Sequence, residues 1–215
     1  MKIRAICLAL ATVVVLAGCS SSSTPSPAAV KTSTANSAPD LKPQLLTVAD
    51  LPSGWMLTQT PSGGGTTPPC IKNVKAKLHP SSRADQFFAK VGGIPVFAES
   101  LRYYDTNARA IYDYNRGVAV LNACTDVSFS GGGYTFTGTI GPLPLNKLGQ
   151  RATGWRLELS THGFTLGLDF VVVQTGPELA LLMYGTLGTP NTNDAIALVK
   201  KALAKMASGQ APVAS

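Results

Sequence analysis

The sequence is poor in residues that perform chemistry. Its 215 positions include 2 histidines, 4 cysteines and 13% charged residues, and the HExxH, GxSxG, SxxK and Walker motifs of common catalytic sites do not occur. His79 lies beside a proline and His162 lies in a predicted turn, so we expect both at solvated loop positions. The glycine runs at 63–65 and 131–133 lack a following Lys-Ser/Thr and are typical of flexible turns. The sequence therefore predicts a protein that is not an enzyme and has no cofactor or metal site.

The few acidic residues offer one candidate pair for acid–base chemistry. Glu158 and Asp169 fall on one face of a predicted hairpin, four residues apart along the strands. At ~3.3 Å per residue this spacing is about 13 Å, which exceeds the ~5–9.5 Å between the two carboxyl groups of glycosidases. We expect both residues on a solvated face of the sheet.

The apolar run at the N terminus, residues 5–17, is too short for a membrane-spanning helix, which needs about 20 residues. Lys2 and Arg4 precede the run and Ser20 ends it, a pattern typical of a secretory signal peptide. The run closes on Leu16-Ala17-Gly18-Cys19, which resembles the bacterial lipobox. The alternative is an ordinary signal peptide that is cut elsewhere.

The lipobox resemblance implies that residues 1–18 are a lipoprotein signal peptide and that Cys19 carries fatty acyl chains such as palmitate. Two or more chains hold a protein stably on a bilayer, so the expected location is the extracytoplasmic face of the cell membrane. The formal charge of +7 includes Lys2 and Arg4, which leaves +5 on the mature chain. This charge permits weak attraction to anionic headgroups, and we expect no nucleic-acid partner outside the cytoplasm.

Two cysteines remain after processing, because Cys7 leaves with the signal peptide and Cys19 is lipidated. In an exported protein the remaining pair, Cys70 and Cys124, predicts a disulfide. Closing a loop of that length stabilises a fold by about 4 kcal/mol on the chain-entropy estimate. A metal site and a catalytic thiol are the alternatives, but the sequence has no CxxC and no neighbouring Cys/His pair.

Composition divides the mature chain into three parts. Residues 19–43 are rich in Ser, Thr and Pro and have almost no large apolar side chains, which predicts a disordered tether with a reach of about 25–30 Å. Residues 44–207 are expected to form a single domain, and residues 208–215 a short tail. A basic cluster follows Cys70 and is either ordinary surface charge or a patch for anionic headgroups or an acidic partner: Lys72, Lys75, Lys77 and Arg83.

Two short helices are expected in the first half of the domain. Residues 45–52 predict one, with Thr47 and Asp50 at capping-box spacing, and Trp55 follows as a core anchor. The second is predicted from Ser82 to Val91. Adjacent phenylalanines at 87 and 88 cannot both face the core of such a helix, so one is expected at the surface or in a groove.

Periodicity in the second half predicts both strands and helices. Residues 96–103 alternate as a strand, and Thr106 caps the clearest helix, which has an apolar stripe with Cys124 on its shoulder: Ile111, Tyr114, Val118 and Leu121. A final helix has the stripe Ile196, Val199, Leu203 and Met206. Four strands lie between the helices, at 134–140, 155–160, 164–170 and 179–186.

The predicted order from residue 96 is therefore β-α-β-β-β-β-α. In the hairpin, Leu159 is expected opposite Phe164, Leu157 opposite Leu166 and Trp155 opposite Leu168, which puts the large apolar residues on one side. This order predicts an α+β domain with an antiparallel sheet and helices packed on one face.

A binding groove is the last candidate site. The aromatic residues Tyr103, Tyr114 and Trp155 could line a groove between the sheet and the 106–124 helix, although core packing explains the same residues.

Several features together resemble a known family. The lipobox, the tether, the segment Leu45 to Trp55 (with Asp50-Leu51-Pro52-Ser53-Gly54) and the Cys70/Cys124 pair are similar to actinobacterial, especially mycobacterial, surface lipoproteins. Over about residues 44–207 the domain resembles the extracellular sensor domain of a mycobacterial Ser/Thr kinase, the PknH-like family. That family usually has two disulfides, and this chain permits one. The resemblance implies a membrane-anchored, non-enzymatic domain that binds a ligand or protein partner of the cell envelope. A carrier of lipid or glycolipid is the alternative.

Overall fold

The computed structural model describes residues 38–59, 78–131, 134–161 and 163–209. These residues form one eight-stranded antiparallel sheet in the order β1-β2-β3-β8-β7-β6-β5-β4. The strands are β1 (Trp55–Thr58), β2 (Ser82–Lys90), β3 (Val96–Tyr103), β4 (Asp126–Gly131), β5 (Tyr134–Pro142), β6 (Arg151–Thr161), β7 (Phe164–Thr175) and β8 (Glu178–Leu187). The described helices are α1 (Asn107–Asn122) and α2 (Thr192–Gly209), and two 3₁₀ turns span Lys42–Gln44 and Val48–Asp50.

The two α-helices pack on opposite faces of the sheet. Successive residues of a strand point to opposite faces, and β8 is apolar on both. Ala180 and Leu182 belong to the core cluster that contains α2, whereas Leu179 and Leu181 pack in the cluster of α1. We call these the α2 face and the α1 face. The prediction of helices on one face is therefore wrong, because central strands that are apolar on both sides need a cover on each.

The segment predicted as a second short helix is strand β2, so this prediction is also wrong. β2 pairs with β1 on one side and with β3 on the other, and these long-range bonds override the local capping pattern at Ser82 and Asp85. The two phenylalanines alternate as strand residues do. Phe88 is fully buried in the α2-face core, and Phe87 points to the α1 face. The expectation that only one of them faces the core is confirmed.

The sheet also contains a strand that the predicted order lacks. β4, directly after α1, pairs with β5 at the edge of the sheet, so the order from residue 96 is β-α-β-β-β-β-β-α. The β6–β7 hairpin is predicted correctly but paired two residues out, since Thr161 lies opposite Phe164 and Leu159 opposite Leu166. A shift of two residues keeps every side chain on its predicted face.

The N-terminal part of the domain contains two 3₁₀ turns in place of one helix. The predicted capping interaction is present, because the backbone N–H of Thr47 donates to Asp50 Oδ2 at 2.7 Å. Leu41, which the sequence places in the tether, lies in the α2-face core with 1% exposure. Trp55 is buried there too, as predicted.

The long helices confirm part of their predicted stripes. Thr106 Oγ1 accepts the N–H of Arg109 at 3.2 Å and caps α1. Within α1, Ala110 and Tyr114 are buried against the sheet. Val199 and Met206 are buried under α2, as predicted.

Candidate functional site

The three aromatic residues predicted to line a groove do not come together. Tyr114 and Trp155 lie on the α1 face, where Tyr114 Oη is 2.7 Å from Thr153 Oγ1 and Trp155 Nε1 donates to Asn122 Oδ1 at 2.9 Å. Tyr103 packs against the α2-face core, on the opposite side of the sheet. Hydrogen bonds and burial give Tyr114 and Trp155 a structural role in seating α1.

A partly enclosed cavity of about 340 Å³ lies on the α1 face beside the C-terminal end of α1. This volume is near the lower end of the ~300–1,000 Å³ of small-molecule pockets. Its floor is formed by strands β2, β3, β8 and β7, and one wall by α1 and β5. The side chains that point into it come from alternate strand positions and from Leu121: Arg83, Asp85, Phe87, Ala98, Ser100, Arg102, Ile140, Phe170, Val172, Leu181 and Met183.

Small side chains on β3 explain why the space is not filled. Ala98 lies opposite Met183 and Ser100 opposite Leu181, so β3 contributes little volume between two larger neighbours. Protein interiors are otherwise close-packed. Two small residues at i and i+2 on one strand face are the sequence signal for this cavity, although they do not show what lies above them.

One end of the cavity is cationic. Arg102 is buried, with 4% of its surface exposed, and its Nε has no hydrogen-bond partner within the described residues. The ion pairs of the described residues do not include Arg102. Arg83 is its direct cross-strand partner and pairs with Asp85 at 2.6 Å. Two like charges side by side on a sheet are destabilising, so this end favours an anion.

Burial also affects the pKa of Arg102. Loss of hydration lowers the pKa of its guanidinium, and the positive charge of Arg83 lowers it further. The carboxylates of Asp85 and Asp113 act in the opposite direction. Asp113 is itself close to Arg109, whose Nε lies 3.8 Å from Asp113 Oδ1.

A second buried ionisable group lies on the other face. Glu99 is 1% exposed and accepts the backbone N–H of Leu46 at 2.9 Å. Burial raises the pKa of its carboxyl to about 7. Glu99 ties the N-terminal segment to the α2 face.

The predicted carboxylate pair is not a site. Asp169 forms two hydrogen bonds with Arg156, at 2.7 and 2.8 Å, and is 1% exposed, so the expectation of a solvated position is wrong for it. Glu158 is exposed as predicted. It lies opposite Gly167, two positions from Asp169, because the hairpin register differs from the predicted one.

Other predicted residues lie partly outside the described ranges. Cys19, Cys70 and His162 do so, as does the basic cluster apart from Arg83. Cys124 is buried, with 5% exposure, in a cluster with Val127, Phe136, Leu157 and Leu159. His79 is exposed as predicted.

No helix among the described residues combines the length and hydropathy needed to cross a bilayer.

Solved structures with a similar fold are known, although family models and curated proteins do not match this chain. No family model matches the chain, and no curated protein matches it. The crystal structure of the extracellular domain of PknH from Mycobacterium tuberculosis matches with a TM-score of 0.62 and 12% identity, covering 77% of this chain and 93% of that one. An uncharacterized protein from Mycobacterium smegmatis, the Rv0999 ortholog, matches with a TM-score of 0.41 and 14% identity, covering 74% and 92%. The chain therefore has the fold of the PknH extracellular domain.

Proposed function

We propose that this chain is a lipoprotein of the cell envelope whose domain binds a ligand in the α1-face cavity without transforming it. The observation that carries the proposal is the apolar cavity of about 340 Å³ with a buried guanidinium at one end. Pockets of this kind, apolar with a few placed polar groups, are the usual form of small-molecule sites. The likeness to an extracellular domain supports an extracytoplasmic position.

The binding part of the proposal is tested by filling the cavity. Ala98→Leu adds three carbon atoms to the floor of the cavity, and we expect it to weaken binding of dodecanol at least ~10-fold, the effect of small size changes in apolar pockets. The measurement is equilibrium dialysis with the full chain carrying Cys19→Ala. Ala119→Leu, on the exposed side of α1, is the matched control. Equal binding by both variants and their parent would contradict the site.

The anchor rests on the lipobox and is tested separately. In the proposed arrangement Cys19 carries the acyl chains, which hold the mature chain on the extracytoplasmic face of the membrane. We expect Cys19→Ala to move the protein out of the membrane fraction and to remove the lipid mass from the intact-mass spectrum. Cys7→Ala is the control, since this residue belongs to the proposed signal peptide. A Cys19→Ala protein that stays in the membrane fraction would contradict the anchor.

A disulfide between Cys70 and Cys124 is part of the same proposal. It is supported by the two cysteines that would remain after the proposed processing and by the proposed extracytoplasmic location. We expect no free thiol in the native, lipidated protein on labelling under denaturing conditions, and two after reduction. Reduction should lower the free energy of unfolding by about 4 kcal/mol. Two labelled thiols before reduction would exclude the bond.

A carrier of lipid or glycolipid is the second candidate, and the apolar lining of the cavity favours it. The two functions differ in what the protein does with its ligand. A carrier should contain copurified lipid in the Cys19→Ala form and should move labelled lipid between two vesicle populations. A sensor-like domain should bind the ligand and leave the rate of transfer unchanged. A mass spectrum without lipid, together with no transfer, would exclude the carrier.

A further inference from the structure

The charges around the cationic end of the cavity do not balance. Asp85 is paired with Arg83, and Asp113 lies near Arg109 and accepts the backbone N–H of His79 at 3.4 Å. These two carboxylates face three guanidinium groups, because Arg102 belongs to the same cluster. One positive charge is therefore left over, and Arg102 is the most buried of the three cations. Burying a charge without a partner is costly.

The ion pair of Arg156 and Asp169 shows how this chain accommodates another buried charge. On the α2 face the buried carboxylate of Asp169 has a two-pronged partner in Arg156. Arg102 has no such partner within the described residues, and its guanidinium lines a cavity. A guanidinium in this setting matches a carboxylate or phosphate, which can accept two parallel hydrogen bonds from it.

The apolar part of the cavity has the dimensions of one hydrocarbon chain. Arg102 and Ala98 lie four residues apart on β3, about 13 Å at ~3.3 Å per residue. The volume of about 340 Å³ is near the lower end of the ~300–1,000 Å³ range of small-molecule pockets, which suits a ligand with a single chain. Met183 lies opposite Ala98, and Phe170 lies opposite Met183, so both line the end of the cavity at the level of Ala98.

We propose that the cavity binds a single-chain amphiphile with an anionic headgroup. Arg102, assisted by Arg83, binds the carboxylate or phosphate, and the chain lies along β3 and β8 toward Phe170 and Met183. This inference rests on the proposed function and names the chemical class of the ligand.

The test compares ligands that differ only in their headgroup. Dodecanoate, dodecyl phosphate and dodecanol are titrated at pH 7.5 into the full chain carrying Cys19→Ala, so that no acyl group of the protein itself can occupy the cavity. We expect at least one anionic ligand to bind ~10-fold or more tightly than dodecanol, the effect of a charge-assisted hydrogen bond in a buried site. The two anionic arms distinguish a carboxylate headgroup from a phosphate headgroup.

Variants of the arginines locate the effect. Arg102→Gln should reduce the preference for the anion over dodecanol to less than ~3-fold. Arg151→Gln is the matched control, since Arg151 is exposed and lies outside the cavity. If Arg102→Gln fails to fold by circular dichroism, Arg83→Gln replaces it, and it should also lower the preference. An anion preference that survives both substitutions would overturn the assignment.

The remaining outcomes separate this inference from the proposed function. If dodecanol and both anionic ligands bind equally, the cavity is a binding site and the anionic headgroup is wrong. If none of the three binds, the proposed function fails together with the inference. Binding of the anions that is unaffected by Ala98→Leu would place their site elsewhere and would overturn the inference.

Discussion

The two faces of this sheet differ in how tightly their side chains are packed. On the α2 face, one continuous core joins the N-terminal segment, six of the strands and α2, and Phe88 and Phe97 are fully buried in it. On the α1 face, two smaller clusters flank a cavity. Both faces belong to the same strands, so their stabilities cannot be separated by deleting an element. The comparison teaches that one side of a strand can hold the fold while the other side leaves room for a ligand.

Two arginines, one on each face, differ in their partners. The α2 face pairs Arg156 with Asp169, whose side chain is fully buried, and Arg156 also donates to the carbonyl oxygen of Pro190 and to Thr192 Oγ1 at the start of α2. The α1 face leaves Arg102 beside the cavity. A buried ion pair that is complete contributes to a unique arrangement of its neighbours, whereas an incomplete one favours a ligand that completes it.

The largest expected difference between the faces is measured at two adjacent residues. Phe88→Ala should lower the free energy of unfolding by about 4 kcal/mol, because it opens a hole in a close-packed core next to Phe97. Phe87→Ala should cost about 1 kcal/mol, since its ring already borders open space. Urea denaturation of both variants checks this. Equal losses would mean that the α1 face is packed as tightly as the α2 face.

A second comparison uses one ion pair from each face. Asp169→Asn should destabilise the fold by about 3 kcal/mol, because it removes the charge of a fully buried carboxylate that forms two hydrogen bonds with Arg156. Asp85→Asn breaks the exposed pair with Arg83 on the α1 face and should cost no more than about 1 kcal/mol. Both free energies come from urea denaturation at neutral pH. A cost for Asp85→Asn as large as for Asp169→Asn would contradict the division.

The third prediction concerns Glu99 on the α2 face and the change of stability with pH. The pKa of Glu99 is about 7 in the fold against an ordinary value of 4.5. Between these values unfolding releases a proton, so the free energy of unfolding falls as pH rises from about 4.5 to about 7 and levels off above. The full difference is about 3 kcal/mol.

Glu99→Gln removes this titration. The variant and the parent share all other acidic groups, so the titration of those groups cancels in the difference between the two curves. We expect the variant to gain up to about 3 kcal/mol relative to the parent between pH 4.5 and pH 7. Chemical denaturation at a series of pH values gives the difference between the two curves. Parallel curves would mean that Glu99 is ionised in the fold.

Local patterns predicted the elements whose neighbours agree with them. The α1 stripe, the Thr106 cap and the side-chain faces of the β6–β7 hairpin follow from periods of 3.6 and 2. The hairpin register was predicted two residues out because the strands continue to Thr161 and Phe164. Gly163, at φ 103°, takes the left-handed conformation that a short connection requires.

Elements with conflicting signals were predicted wrongly. A capping pattern at Ser82 favoured a helix. The alternation typical of a strand was not apparent in β2, because apolar side chains lie on both of its faces, Phe88 in the core and Phe87 at the cavity. β4 was missed because the glycine run at 131–133 suggested a loop. In both cases pairing with distant strands decided the outcome.

By itself, the sequence determined the number of α-helical stripes in the second half, the alternation of most strands and the scarcity of catalytic groups, because each is a property of neighbouring residues. The tertiary structure alone decided which face each helix covers and that Arg102 lies beside Arg83 at the end of a cavity. Those facts depend on strand register and on the space above Ala98 and Ser100, which are set by residues far away in the chain.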